Sequence, residues 1–398
     1  GGLFTADTSK LIRLVANGDY ELDGRIDSLF VSAFYGCKNL TSLKIPASVT
    51  YIEDEVFSYC PNLEKIEVEA SNPNFVTVDG VLFDSTKKKL LCYPAKRKGE
   101  YTIPETVETI GVSAFANCTE LSYIKIPNNV SLIDKYAFKS CTGLKNVEFP
   151  QNIRGISTAA FANCTGLVSV VMPDTVKSMG QSLFEGCSNL KSVLLPIVFK
   201  GSSLPDYMFY GCTSLDSVVI PKCVKTIGMY AFYGCIGLTK IDIHNNLQSV
   251  SDYAFMNCQV LDSIFLPKTL SYVGEFAFAN CLNLTIYSEL ESEPGYYVEY
   301  WNISGCPVVW GCAASNEGDD DNDDTAIFVD NAENVVNIYA FNNAIVVDNA
   351  NADVFVYDVM GKLVAKDMSN DQRVEMHIQR AGVYIVKAGN ATQRVVVR

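Results

Sequence analysis

AFYGCKNLTSLKIP, from Ala33 to Pro46, returns along the chain as AFANCTELSYIKIP (Ala114 to Pro127) and AFKSCTGLKNVEFP (Ala137 to Pro150). It continues as AFANCTGLVSVVMP, LFEGCSNLKSVLLP, MFYGCTSLDSVVIP, AFYGCIGLTKIDIH and AFMNCQVLDSIFLP. The aromatic of the unit falls at Phe34, Phe57, Phe115, Phe138, Phe161, Phe184, Phe209, Phe232, Phe255 and Phe278. Neighbours lie 23 residues apart, with one step of 25 and one of 58 across an insertion. Self-similarity at a fixed period is the mark of a repeat architecture.

Within one unit, Leu40, Leu43 and Ile45 point one way while Ser42 and Lys44 point the other, which is the alternation of a strand. Pro46 ends it, having no N–H for a ladder. Val49, Ile52 and Phe57 follow at spacings closer to a helix or turn and bring the chain back to the next strand. A unit this short has one apolar face and nothing of its own to bury it against. Stacked neighbours supply the partner, so the units build a solenoid of about eleven coils, with a parallel sheet on one face and short helices or turns on the other.

The F-x-x-C-x-x-L-x-x-I-x-I-P unit resembles the BspA-like leucine-rich repeat, over Phe34 to Leu284. The resemblance implies an α/β-type leucine-rich repeat solenoid. It also implies a surface or secreted protein of the kind found in Bacteroidetes, whose relatives attach to matrix proteins, host cells or other bacteria. The stretch Asn72 to Gly111 looks like the longer, hairpin-bearing repeat of that family. Its Asp79-Gly80 dipeptide beside alternating Val81 and Phe83 points to a turn between short strands without that help. His244 stands where one unit would carry the strand-ending proline, Ile197 to Pro205 lengthens another, and the residues before Ala33 read as a degenerate cap.

Ten of the 14 cysteines sit three residues after the repeat phenylalanine, each at the same place in its coil. That placement argues for stacked, buried free thiols filling the core, with bridges between neighbouring coils as the alternative. Cys306 and Cys312, past the last repeat, read equally well as a staple or as two thiols. No C-x-x-C pair occurs and the only histidines are His244 and His377, so no metal site and no cofactor is expected.

The domain boundaries expected are 1–312 for the solenoid with its caps, 313–325 for an acidic linker and 326–398 for a small β-sandwich. After Leu284 an aromatic run ending in WGC seals the open end of the stack. Six acidic residues fall between Glu317 and Asp324, in a stretch that repels itself into an extended linker. From Ala326 short alternating strands such as VVNIYAF, DVFVYDV and GVYIVKA are separated by Asn, Gly and Asp, as in a small all-β, Ig-like sandwich. VYDVMGKLV (Val356 to Val364), AGVYIVKAG (Ala381 to Gly389) and the terminal QRVVVR resemble the C-terminal sorting domains of type IX secretion. That resemblance implies outer-membrane translocation; an ordinary stalk or adhesion module is the other reading. Asp324-Thr325-Ala326 is similar to a short O-glycan acceptor motif of that phylum.

Nearly half the residues are apolar and a fifth are charged, which a packed core requires. The net charge of −14 argues against nucleic acid as a partner, and no apolar run is long enough for a membrane span. The chain opens Gly1-Gly2 with neither a basic nor an apolar leader segment, so its start says nothing either way about export. With two histidines, no phosphate-binding loop and no metal motif, the chain is read as non-catalytic. Binding is the expected work. The outward sheet residues turn apolar in the middle of the array at Val171, Leu194 and Val219, with Phe265 further on and Ser192 and Ser217 beside them. This strip is the candidate contact site for a protein ligand, either a host matrix or cell-surface protein; the alternative is a structural or glycan-capturing scaffold.

Overall fold

The structure is a computed structural model. It describes residues 2–5, 9–197 and 199–312 and, further on, 337–341, 344–348, 353–358, 363–368, 373–378, 382–388 and 391–397. The expected acidic linker and the Asp324-Thr325-Ala326 motif lie outside the described residues. The chain divides into two units, Gly1–Gly311 and Cys312–Arg398.

The first unit is a β-solenoid of about 13 turns. The count exceeds the eleven expected because both ends coil as well. Upstream, Lys10–Leu14 pairs in parallel with Ser28–Leu29, burying Leu11 and Leu29 completely. Downstream, Thr285–Ser288 pairs with Val308–Val309, and Trp301 lies edge-on against Phe278, its ring centre 6.2 Å away. The aromatic run after Leu284 is therefore the last coil and the lid of the interior together.

The coils contribute one strand each to an outer sheet, except the coil of Glu148, which is held only by isolated parallel bridges to Lys125 and Val171. The longest stretch of the sheet holds seven parallel strands, from Ser169–Val171 to Val308–Val309. A second, narrow ladder runs along the return side, two residues per coil, as in Thr226–Ile227 paired with Ser249–Val250. That ladder breaks between Ser178–Met179 and Ser203–Leu204, where the longer segment Ile197 to Pro205 intervenes.

No helix occurs among the described residues, a correction to the expected short helices on the return side. The reason is a pair of left-handed residues bracketing the repeat phenylalanine, such as Tyr136 (φ 58°) and Ser140 (φ 61°). A right-handed helix cannot run through them. The backbone N–H groups between them turn sideways instead. Tyr136 donates to the Thr158 carbonyl at 3.0 Å, Phe138 to Ala160 at 2.8 Å and Ser140 to Ala162 at 2.8 Å, all in the next coil. The turns are thus a third ladder along the solenoid, and the amphipathic spacing that resembles a helix is the spacing of this turn.

Inside, the repeat phenylalanines stack ring on ring. Phe138 and Phe161 lie 5.1 Å apart at 5°, and Phe232 and Phe255 lie 5.1 Å apart at 2°. Nine of the ten are fully buried; Phe57 is half-buried. The 58-residue gap in the sequence is filled in space by Tyr93, whose ring packs 5.0 Å from Phe115. Phe75–Val78 and Val81–Asp84 form the expected hairpin, turning through Asp79 (φ 47°) and Gly80 (φ 71°). Two successive left-handed residues are what a tight two-residue hairpin turn needs. The apolar interior divides here into two clusters, one from Leu11 to Cys92 and one from Val81 to Cys306. A cavity of about 70 Å³ at the junction is lined by Phe57, Cys60, Cys92 and Tyr93 among others.

The described part of the second unit forms seven antiparallel strands in two sheets. One holds Asn337–Phe341, Ala344–Asp348 and Arg373–His377; the other holds Val354–Asp358, Leu363–Asp367, Gly382–Ala388 and Ala391–Val397. Ile345, Val347 and Val374 of the first share an apolar cluster with Val356, Val386 and Val395 of the second.

Candidate functional site

The outer sheet face changes character along its length. At the N-terminal end it satisfies itself: Lys44 donates to Glu21 at 2.7 Å, Lys44 lies in register with Glu67, and Lys65 pairs with Glu67 at 2.8 Å. Such exposed pairs contribute little to stability, about 0–1 kcal/mol each, but they leave that end hydrophilic.

Past Val171 the face becomes apolar, and the strand ladder places the outward residues side by side. Val219 stands opposite Asp242, Phe265 opposite Tyr287, and Tyr287 opposite Val309. Val171, Val219, Tyr287 and Val309 expose 38%, 46%, 39% and 43% of their surface, and Phe265 is half-exposed. Five successive coils thus present Val219, Asp242, Phe265, Tyr287 and Val309 from a rigid sheet.

Two of the residues expected in this strip do not face solvent. Leu194 is 7% exposed and Ser192 is buried as well, although both leave the strand on its outward side. Val193 and Leu195 flank Leu194 and join the interior cluster, whereas Leu194 does not, so its cover lies on the outer side of the sheet. Alternation fixes the direction in which a side chain leaves a strand and not what lies over it. Ser217 is partly exposed, in register with Ser192 and Lys240. The exposed strip therefore begins at Val219 and extends further toward the C-terminus than the repeat motif suggests. Tyr287 and Val309 lie beyond the last recognisable unit; the alternation of TIYS, with Ile286 and Ser288 inward and Tyr287 outward, is the sequence signal that marks the first of them.

Asp242 is the single charge in the strip. Burial pushes its carboxyl above the usual carboxylate range, against the pull of Lys240 in the same strand. A half-buried carboxylate between exposed apolar side chains gives the strip one directional, polar anchor.

The thiols are not part of this face. None of the 14 cysteines is in a disulfide, and the ten repeat cysteines are buried. Cys306 is buried beneath the last coil, with its Sγ 3.4 Å from the Cys281 carbonyl, and it forms no bond with Cys312.

A profile of the BspA-type leucine-rich repeat region matches residues 19–89, 92–201 and 202–293, well over half of the chain. The chain belongs to the BspA-type leucine-rich repeat family. Among solved structures it is similar to a leucine-rich repeat protein from Eubacterium ventriosum, at 28% identity over 70% of this chain and 67% of that one, with a TM-score of 0.52. It is also similar to a leucine-rich repeat protein from Bacteroides ovatus, at 25% identity over 76% of this chain and 94% of that one, with a TM-score of 0.42. A third is the pneumococcal vaccine antigen PcpA, at 21% identity over 60% of this chain and 63% of that one, with a TM-score of 0.46. Comparison with curated proteins finds no match. Among the described residues no helix of this BspA-type chain is long and apolar enough to cross a membrane.

Proposed function

We propose that this BspA-type protein is a non-catalytic surface or secreted binding protein, and that it holds a protein ligand against the outer sheet strip from Val219 to Val309. The observation that carries the reading is the run of exposed apolar residues on five adjacent parallel strands, broken by one half-buried carboxylate. Exposed apolar patches with aromatic members mark contact surfaces, and a parallel sheet needs no reorganisation to present one. The ligand we favour is a host matrix or cell-surface protein, which makes the chain an adhesin. The second unit, by its resemblance to type IX sorting domains, is the part that directs export.

The test is a solid-phase binding screen of the full chain against matrix proteins, cell-surface proteins and glycans, run beside a Val219→Asp/Tyr287→Ser variant. Binding to a protein ligand that the variant loses supports the reading. Equal binding by the variant removes this face from consideration, and capture of glycans alone favours a glycan-holding scaffold.

A further inference from the structure

The return side carries a second surface that neither the fold nor the sheet face accounts for. In each coil the residue just before the repeat Ala-Phe pair is left-handed, with φ between 53° and 58° at Ser113, Tyr136, Ala159, Ser182, Tyr207 and Tyr230. Small residues serve there in four of the upstream coils, at Ser32, Ser113, Ala159 and Ser182, so the turn does not demand an aromatic. Yet from Tyr207 onward the place is held by Tyr230, Tyr253, Phe276 and Tyr300 without interruption. Bulky side chains are disfavoured in this conformation, and such choices concentrate where a side chain has work beyond folding.

These rings form a column. Tyr207 to Tyr230 is 5.0 Å at 15°, Tyr230 to Tyr253 is 4.7 Å at 1°, and Tyr253 to Phe276 is 5.3 Å at 17°. A second column lies beside it, with Tyr210 and Tyr233 4.8 Å apart at 4° and the Tyr230 ring tilted 60° to Tyr210. The two columns line an open hollow of about 540 Å³ whose wall also includes Glu185 and Met256. Glu185 occupies, one coil earlier, the place of Tyr210 in its own coil.

Charge and ring geometry say what fits. The turn segments 181–186, 206–211, 229–234, 252–257, 275–280 and 299–304 contain five carboxylates and no lysine or arginine. Tyr230 and Tyr253 are covered on both faces by their neighbours, and Tyr210 and Tyr233 cover each other on one side, so the ledge presents ring edges and hydroxyls together with the remaining faces of Tyr207, Tyr210 and Tyr233. The upstream coils show the complement. Lys139 holds its ammonium 5.1 Å from the ring centre of Tyr136, which has the place of Tyr207, and Arg13 lies 5.3 Å from Tyr35, which has the place of Tyr210. Among the described residues no such cation lies over Tyr207, Tyr210, Tyr230 or Tyr233. Burial, followed by the neighbouring Tyr233 and Glu185, pushes the Tyr210 phenol up, so it stays neutral and able to accept a hydrogen bond.

We propose that this tyrosine ledge is a second binding surface, one that takes an arginine- or lysine-bearing segment of another protein. The cationic head donates to the phenolic oxygens and to Glu185, and its aliphatic stem lies along the ring edges and Met256. The chain supplies such a cation to its own tyrosines in the N-terminal coils and leaves the place open here.

Calorimetric titration of the full chain with a blocked heptapeptide of alternating glycine and arginine tests this, with the citrulline version as the uncharged control. The decisive variant is Tyr210→Ala/Tyr233→Ala. Alanine already stands at this place in Ala162 and Ala279, and the net charge is unchanged. The expected result is binding of the arginine peptide and not the citrulline one, weakened about tenfold or more by the double variant at an unchanged melting temperature. Should the double variant fail to fold, Glu185→Gln is expected to weaken binding at least threefold on its own. A Val219→Ser variant of the sheet face should bind the peptide as the wild type does, which separates this surface from the other. Equal affinity of wild type and the folded double variant would show that net charge alone attracts the peptide, and would overturn the proposal. Equal affinity for the citrulline peptide, or binding of neutral oligosaccharides with no binding of the arginine peptide, would overturn it as well.

Discussion

The thiol of Cys141 donates to the backbone carbonyl of Phe115 in the preceding coil, with Sγ 3.0 Å from the oxygen. The same bond recurs from Cys164 to Phe138 at 3.0 Å, Cys187 to Phe161 at 3.1 Å and Cys258 to Phe232 at 3.2 Å. Each of these carbonyls also accepts from the N–H of the cysteine in its own turn, as Phe138 does from Cys141 at 3.1 Å. The repeat cysteine is thus more than a small apolar filler: it ties the turn of one coil to the turn before it. Cys118 makes the corresponding contact with the Tyr93 carbonyl at 3.7 Å, which confirms that Tyr93 occupies the phenylalanine place in the insertion.

Replacing Cys164 with alanine removes a buried group and one weak donor. The expected cost is about 1–2 kcal/mol, read as a lower midpoint in a chemical unfolding curve. Serine at this position keeps a donor but on a shorter bond, and should fall between wild type and alanine.

The ring stack should show a gradient. Phe161 is fully buried between Phe138 and Phe184, so Phe161→Ala is expected to lose about 3–5 kcal/mol. Phe57 is half-buried, stacks on Phe34 alone and borders the junction cavity, so Phe57→Ala should cost clearly less. Thermal unfolding of the two variants side by side checks the ordering.

On the sheet face the contrast lies between neighbours in the same kind of strand. Val219→Asp places a carboxylate at a half-exposed site opposite Asp242 and should lower the melting temperature only modestly, the like-charge contact costing about 1 kcal/mol or less. Leu194→Asp buries one without a partner and should destabilise the chain by several kcal/mol or prevent folding. A melt of each variant separates the two.

Alkaline solution should weaken the solenoid. Burial pushes the Cys141, Cys164, Cys187, Cys212 and Cys235 thiols well above their ordinary value near 9. The folded state keeps those protons where the unfolded state releases them. The contribution is therefore complete below about pH 9 and declines as pH rises above it. Unfolding midpoints measured between pH 8 and pH 10.5 should fall more steeply for the wild type than for a chain with several repeat cysteines changed to alanine.

The repeat itself carried most of this architecture. Ten phenylalanines and ten cysteines at one period dictate stacking, and Asp79-Gly80 dictates its hairpin, because both are local patterns tied to one conformation. The helix expected on the return side was not there, since Tyr136, Tyr230 and similar residues give no hint in sequence that they are left-handed. Tyr93 was hidden by an insertion that changes the spacing but not the coil. On the sheet face, alternation gave the outward direction of Leu194 and Ser192 correctly and their exposure wrongly, because burial on that side depends on what packs over the strand. The tyrosine ledge had a visible signal, the repeated tyrosine flanking the Phe, but only the coil geometry stacks those rings into columns.

If the coils stack as described, their thiols are shut away inside the solenoid, and mass-spectrometric mapping of alkylation on the native chain measures this directly. Cys223 and Cys312, which are partly exposed, should label quickly, while the ten repeat cysteines should label only at the rate of unfolding. Labelling of Cys141, Cys164 or Cys235 as fast as Cys312, or disulfides among the repeat cysteines, would contradict the stacked solenoid and the two proposed binding faces that rest on it.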